Sequence, residues 1–225
     1  MEISEDYDLI HIHLRHNLKW VLFWSIILRK KLIIIFHDHS NTVLKFNLLY
    51  ILHKCVISHI VVNRKLYEKQ AQDSPLSPRV YFLEYIIQSK SPQIKSHNGN
   101  QTLSIVLVSN FRRLKNIEFA IDFFDILLKN YRNNIHLDIY GQAIDQIYLK
   151  EIVLLISSKN LDNNISIIQN CFNIEDRLTH YQLALHTSKL EAGPLVLLEY
   201  LSQGVPFLSF KTGEVVEKIK KLISK

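Results

Sequence analysis

Residues 186–206 read His186-Thr-Ser-Lys-Leu-Glu191-Ala-Gly193-Pro194-Leu-Val-Leu-Leu-Glu199-Tyr-Leu-Ser-Gln-Gly204-Val-Pro206. A polar loop carries Glu191. Gly193 and Pro194 follow, and proline suits the first position of a helix, where the missing N–H would have no partner. An apolar helix comes next, with Glu199 inside it. Gly204 ends that helix, since glycine accepts the left-handed conformation at a helix C-terminus. Val205 to Phe210 then reads as a strand. Two carboxylates eight positions apart bracket a helix N-terminus. Free N–H groups and the helix dipole make such a terminus an anion site, for phosphate above all.

Outward from this stretch, the second half of the chain alternates strand and helix. Leu103–Val108, Ile135–Tyr140, Ile165–Ile168 and Leu183–Thr187 read as strands. Lys115–Asn130, Asp145–Lys159 and a short Ile174–Tyr181 segment read as helices, and Val215–Ile223 as a last one. The first half shows the same order. Its strands are Asp8–Leu14, Lys31–Phe36, His59–Asn63 and Arg79–Leu83. Its helices are Asn17–Leu28, Leu44–Ser58 and Arg64–Gln72. The run Lys-Leu-Ile-Ile-Ile-Phe at 31–36 suits a parallel strand buried on both faces. Alternation of this kind implies parallel α/β sheets. The polar segment Ser89–Thr102, with Pro, Gly and Asn, is the expected boundary, dividing the chain into domains 1–95 and 96–225.

Bulk properties narrow the function classes. The chain has 225 residues, 48% apolar and 21% charged, which suits soluble globular domains. Its two cysteines, Cys55 and Cys171, make no disulfide framework and read as buried thiols in a reducing cytoplasm. The net charge of +6 favours anionic partners. The lysines are scattered, with no basic block interleaved with aromatics, so no nucleic-acid partner is expected. The apolar run Trp20–Leu28 is broken by Arg29-Lys30-Lys31, short of the roughly 20 residues a bilayer span needs. A peripheral membrane contact through that segment is the most it suggests.

Open parallel sheets bind ligands at the C-terminal ends of their strands. Past the first strand of the second half comes Ser109-Asn110-Phe111-Arg112-Arg113-Leu114-Lys115-Asn116. Three cations at the mouth of a helix, with backbone N–H groups, suit a diphosphate. Past the third strand comes Gln169-Asn170-Cys171, and past the fourth comes Ser188–Glu191. A carboxylate beside a diphosphate makes sense if it accepts hydrogen bonds from sugar or ribose hydroxyls. His37-Asp38-His39-Ser40 follows the second strand of the first half. Adjacent residues on an extended chain point to opposite sides, so no metal site is expected there. None is expected at Asp6-Tyr7-Asp8 either.

The Ser188-x-x-Glu191-x-Gly193…Glu199…Gly204-x-Pro206 pattern resembles the motif of family 4 glycosyltransferases, retaining enzymes of the GT-B fold, which has two Rossmann-like parallel-sheet domains. Val108-Ser-Asn-Phe-Arg112-Arg-Leu-Lys115 resembles that family's diphosphate loop, and Tyr140-Gly141 resembles its glycine after the second strand. Asp8-Leu-Ile-His-Ile-His13 and Ile34-Ile-Phe-His37 resemble strands of the acceptor-side domain. The resemblance implies a sugar moved from a nucleotide-diphosphate donor to a glycan or lipid-linked acceptor, with no metal or other cofactor. It implies Glu191 on the donor's sugar and Glu199 on the ribose. Arg112 and Lys115 would hold the diphosphate. The family's arginine falls two positions earlier, at Asn110, so Arg112 stands in for it. Gly141, Ser188, Gly193, Pro194 and Leu195 complete the implied donor site, and His37 the reacting-sugar side. A cytoplasmic protein follows, with peripheral contact at the inner membrane face. Family members carry more chain at both ends, so a piece of a GT-B enzyme is expected, with an incomplete N-terminal domain and modest stability or self-association. Two other readings fit the same residues: a non-catalytic nucleotide-sugar-binding protein, and a GT-B-like sugar-nucleotide epimerase.

Overall fold

The computed structural model describes residues 9–29, 32–40, 42, 56–73, 79–84, 103–130 and 134–223. Two units emerge, Met1–Ile86 and Ile87–Lys225.

In the first unit the order is β1 (Leu9–Ile12), α1 (Arg15–Ile27), β2 (Ile33–Asp38), β3 (Val56–Val61), α2 (Arg64–Asp73) and β4 (Val80–Phe82). All four strands are parallel, in the order β1-β2-β3-β4. Leu18, Val21 and Leu22 of α1 pack on Ile12, Ile34 and Phe36, a stripe that closes one face of the sheet. β2 runs two residues further than its apolar run predicts. His37 and Asp38 are therefore inside the strand rather than past its end. The extension has a cause: Asp38 is 1% exposed, accepts from Arg15 at 2.7 Å and 3.2 Å, and lies 3.3 Å from His59 Nε2 on β3. Partnered in this way, a carboxylate can be buried. β3 begins at Val56, so the helix expected over Leu44–Ser58 does not include 56–58. The rest of that helix, the Ser74–Pro78 turn, the Ser89–Thr102 segment, Asp6-Tyr7-Asp8, Lys30, Lys31 and Cys55 lie outside the described residues.

The second unit runs β5 (Leu103–Val108), α3 (Ile117–Asn130), β6 (Ile135–Tyr140), α4 (Gln146–Ser158), β7 (Ile165–Ile168) and α5 (Glu175–Leu178). It continues with β8 (Leu183–His186), α6 (Leu195–Ser202), β9 (Phe207–Ser209) and α7 (Gly213–Ile223). Its five strands are all parallel, ordered β7-β6-β5-β8-β9. Alternate residues of the central strands face opposite ways, and each face has its own apolar cluster. Ile105, Leu107, Leu137 and Ile139 meet Ile121 and Phe124 of α3 and Ile152 of α4. Val106, Tyr140 and Ala184 meet Leu197 and Tyr200 of α6 and Val215 of α7. A parallel sheet covered by helices on both faces is the arrangement such continuous apolar strands require. Cys171 is a free thiol that is only half-buried, because it sits in the loop after β7 and not in either cluster.

Candidate functional site

The strand order fixes where a ligand can sit in the second unit. From β5 the chain proceeds outward through β6 and β7. It then returns to the other side of β5 to place β8 and β9. The loops leaving β5 and β8 therefore diverge to opposite faces, and the crevice they leave at the C-terminal edge is where open α/β sheets bind ligands. The two stretches singled out in the sequence, Ser109–Asn116 and Thr187–Pro194, are those two loops.

Backbone and side-chain bonds clamp one loop to the other. The Lys189 N–H donates to the Leu114 carbonyl at 2.9 Å, and the Thr187 hydroxyl donates to the Lys115 carbonyl at 2.9 Å. A single 3-10 turn, Arg113–Lys115, carries the cations, and Asn116 ends it in the left-handed conformation at φ 53°. The turn separates the three cations. Arg113 pairs with Glu151 of α4 at 2.6 Å and lies over the Tyr148 ring. Lys115 bonds Glu191 across it. Arg112 is exposed, and no side-chain partner is recorded for it among the described residues. Asn110, where the family's arginine would fall, accepts from the Gln142 N–H at 3.0 Å and so ties the β5 loop to the β6 loop.

The two glutamates have opposite environments. Burial alone would raise the Glu191 pKa, but contacts from His186, Lys115 and Ser188 outweigh it and bring it down to about 2. His186 Nε2 stands 3.6 Å from Glu191 Oε1, while its Nδ1 lies 2.9 Å from the Ser209 hydroxyl. Glu199 is half-buried on α6, and its pKa is raised, chiefly by burial and then by repulsion from Glu175. No hydrogen bond or ion pair to its carboxylate is recorded among the described residues. Glu191 is engaged by Lys115 and His186, and Glu199 holds acceptor capacity that no described residue uses.

The surrounding residues shape the crevice. Pro194 does not open α6 as its first residue; it occupies the cap position, with ψ 102°, and Leu195 begins the helix. Glycine terminates this helix as expected, Gly204 having φ +68°. Ser188 is buried, Gly193 half-buried and Leu195 41% exposed. Gly141 lies under the β5 loop: a Cβ there would stand 2.0 Å from the Ser109 carbonyl oxygen, so no larger residue fits. With Ser109, Asn110, Gln142, Asn170 and Cys171 it lines a small polar cavity of about 150 Å³ at the ends of β5, β6 and β7. A larger cavity, about 270 Å³, is lined mainly by apolar groups of α3, β8 and β9, with His186, Thr187 and Ser209 among them. Two residues under the motif escape sequence reading. Thr212 accepts the Glu191 N–H at 2.9 Å. Gly213, at φ +79°, would place a Cβ 2.7 Å from the Pro194 ring. Their separation from the motif in sequence hides them; only the glycine after a strand hints at a tight approach.

In the first unit His37 is half-buried on β2. Its pKa is lowered to about 4, first by burial and then by His39, His13 and His11. His11 of β1 and His13 just past its end bring two more imidazoles beside His37 and His39.

Comparison with known proteins places the chain. The model of the family described as Glycosyl transferases group 1 matches residues 87–224. No curated protein sequence matches at a significant level. Among solved structures, the Anabaena protein HepE, in complex with UDP and glucose, is 18% identical with a TM-score of 0.69; the match covers 94% of this chain and 61% of that one. TarM is 16% identical with a TM-score of 0.66, covering 96% of this chain and 47% of that one. WaaG, a glycosyltransferase involved in lipopolysaccharide biosynthesis, is 14% identical with a TM-score of 0.63, covering 91% and 66%. This chain thus spans about half to two thirds of the length of these structures. The fold they share with it is the expected one, parallel-sheet, Rossmann-like units of the GT-B type. Among the described residues no helix is long and apolar enough to cross a membrane.

Proposed function

The chain belongs to the group 1 glycosyl transferases, and on that premise we propose that it is a family 4 member that takes a sugar from a nucleotide-diphosphate donor and passes it, with retention, to a glycan or lipid-linked acceptor. The observation that carries the reading is the pairing at the sheet's switch point: an engaged Glu191 opposite Lys115, and an unengaged Glu199 one helix away. Glu199 accepts from the ribose hydroxyls. The Ser188–Leu195 loop, with Glu191, faces the sugar. The small polar cavity by Gly141 takes the nucleoside side.

In this reading Arg112 and Lys115 bind the diphosphate. Lys115 exchanges part of its contact with Glu191 for phosphate oxygens, which frees Glu191 to accept from sugar hydroxyls. When the bond from the anomeric carbon to the diphosphate breaks, charge grows on the departing oxygen. Two cations already in place stabilise it, so no metal is required for that step. Binding of UDP and glucose by HepE supports a nucleotide sugar as donor. The involvement of WaaG in lipopolysaccharide biosynthesis supports a glycan or lipid-linked acceptor. A second reading, donor binding without transfer, is favoured by one fact: all the donor-side groups belong to the Ile87–Lys225 unit alone.

Peripheral membrane contact belongs to the same proposal. Trp20, Phe23, Trp24 and Ile27 of α1 are 42–58% exposed, and the helix leads into Arg29. Such a face suits the boundary of an anionic bilayer. Vesicles of phosphatidylglycerol are expected to sediment the protein, and Trp20→Ala with Trp24→Ala to abolish this. Equal sedimentation of the variant would overturn the contact.

A thermal-shift screen of nucleotides and nucleotide sugars tests the donor reading. Saturating UDP or GDP, or one of their sugars, raises Tm, as any ligand that prefers the folded state must. Glu199→Ala removes that shift. A well-folded sample that no nucleotide stabilises would sink the proposal. Product analysis then separates its variants: a glycoside means transfer, a new sugar isomer means epimerisation, and an unchanged donor means binding alone.

A further inference from the structure

We propose that His11, His13 and His37, with His39 as a fourth imidazole within reach, form a binding site for a borderline divalent transition metal of the zinc class. The site lies on the first unit's sheet and is independent of the donor-side reading.

Strand register brings these rings together. β1 pairs with β2 from Leu9↔Ile33 to Ile12↔Phe36. One step further places His13 opposite His37. Side chains two apart share a sheet face, so His11 of β1 and His13 just past its end stand beside His37 of β2 and His39 just past its end. Asp38, between His37 and His39, takes the opposite face to meet Arg15 and His59. The rings crowd closely. Centroids are 4.4 Å apart for His11 and His13, 5.3 Å for His13 and His37, and 4.4 Å for His37 and His39.

Nitrogen positions then point to a ligand. One ring nitrogen from each of His11, His13 and His37 lies within 4.8 Å of the other two. His13 Nδ1 and His39 Nε2 are 3.2 Å apart. Tetrahedral zinc with Zn–N bonds near 2.0–2.1 Å sets its nitrogens about 3.3–3.4 Å apart. The last pair already has that spacing. His11 and His13 are exposed, so their rings are free to turn and close the remaining gap. His37 Nε2 is buried and has no hydrogen-bond partner among the described residues. A buried ring nitrogen without a partner costs stability unless something meets it. A metal ion would. The donor set is all imidazole, which suits zinc, nickel, copper or cobalt and not the oxygen-seeking calcium or magnesium.

The test uses the full chain without an affinity tag, stripped of metal. Zinc is titrated against a chromophoric chelator, and cobalt is followed by its visible absorption. One equivalent is expected to bind, and His13→Ala combined with His37→Ala to weaken binding by roughly tenfold or more. His136→Ala in the second unit is expected to leave it unchanged. Should the double variant fail to fold, His11→Gln at an exposed position gives the same comparison. X-ray absorption at the zinc edge of the unaltered 1:1 complex counts imidazole ligands directly. Three or four support the site. Fewer than three, or equal affinity in a folded variant, overturns it.

Discussion

Glu191 and Glu199 look alike in the sequence and differ in the folded chain. The Glu191 pKa falls from 4.5 to about 2. A depressed folded-state pKa means that ionised Glu191 stabilises the fold above about pH 4.5, and that this contribution is lost as pH falls towards 2. Glu191→Gln is therefore expected to lower stability at pH 7 and to flatten the loss between pH 4.5 and 2, as urea melts at a series of pH values would report. Identical pH profiles would contradict the assignment. Glu199 carries the opposite sign: its pKa is raised by burial. Its charged form costs the folded state something at neutral pH. The sequence pattern made both glutamates legible as a pair. It could not say which was engaged, because Lys115 and His186 reach Glu191 only through the fold. Likewise Arg113 looked equivalent to Arg112 until Glu151 claimed it. The histidines at 11, 13, 37 and 39 were legible one by one, and their meeting was not, since it depends on the register between two strands.

At the scale of elements, the strands of the second unit were the most legible. Leu103–Val108, Ile135–Tyr140 and Ile165–Ile168 form where the sequence reading places them. Their neighbours in sequence, the turns, define their ends sharply. β2 and β3 were less clear, because a polar His-Asp pair can extend a strand once Arg15 and His59 bury its carboxylate. α6 shows what holds the motif in place. Tyr200 is fully buried, and its hydroxyl accepts the Val108 N–H at 3.0 Å, tying the helix to β5 at the head of the Ser109–Asn116 loop. Tyr200→Phe leaves that N–H without a partner. The expected cost is about 1–3 kcal/mol in chemical denaturation, with weaker nucleotide binding because α6 is no longer fixed against β5. No change in either would mean that packing alone sets the position of α6.

At the scale of the whole molecule, the two parallel sheets follow from the alternation of strand and helix, and the order β7-β6-β5-β8-β9 creates the crevice. Alternation gave the class; strand order could not be read, because it depends on which face each connection crosses. The crevice collects the Arg112–Lys115 and Ser188–Glu199 residues, some 75 positions apart in sequence, into one place, with a carboxylate and a guanidinium that have no partner among the described residues. The central claim is that this edge binds a nucleoside diphosphate sugar through Glu199. Isothermal titration of UDP-glucose into the chain and into folded Glu199→Ala tests it most directly. A single site is expected, with Kd at least roughly tenfold weaker in the variant, about 1.4 kcal/mol. Equal affinity in the two proteins would contradict the account.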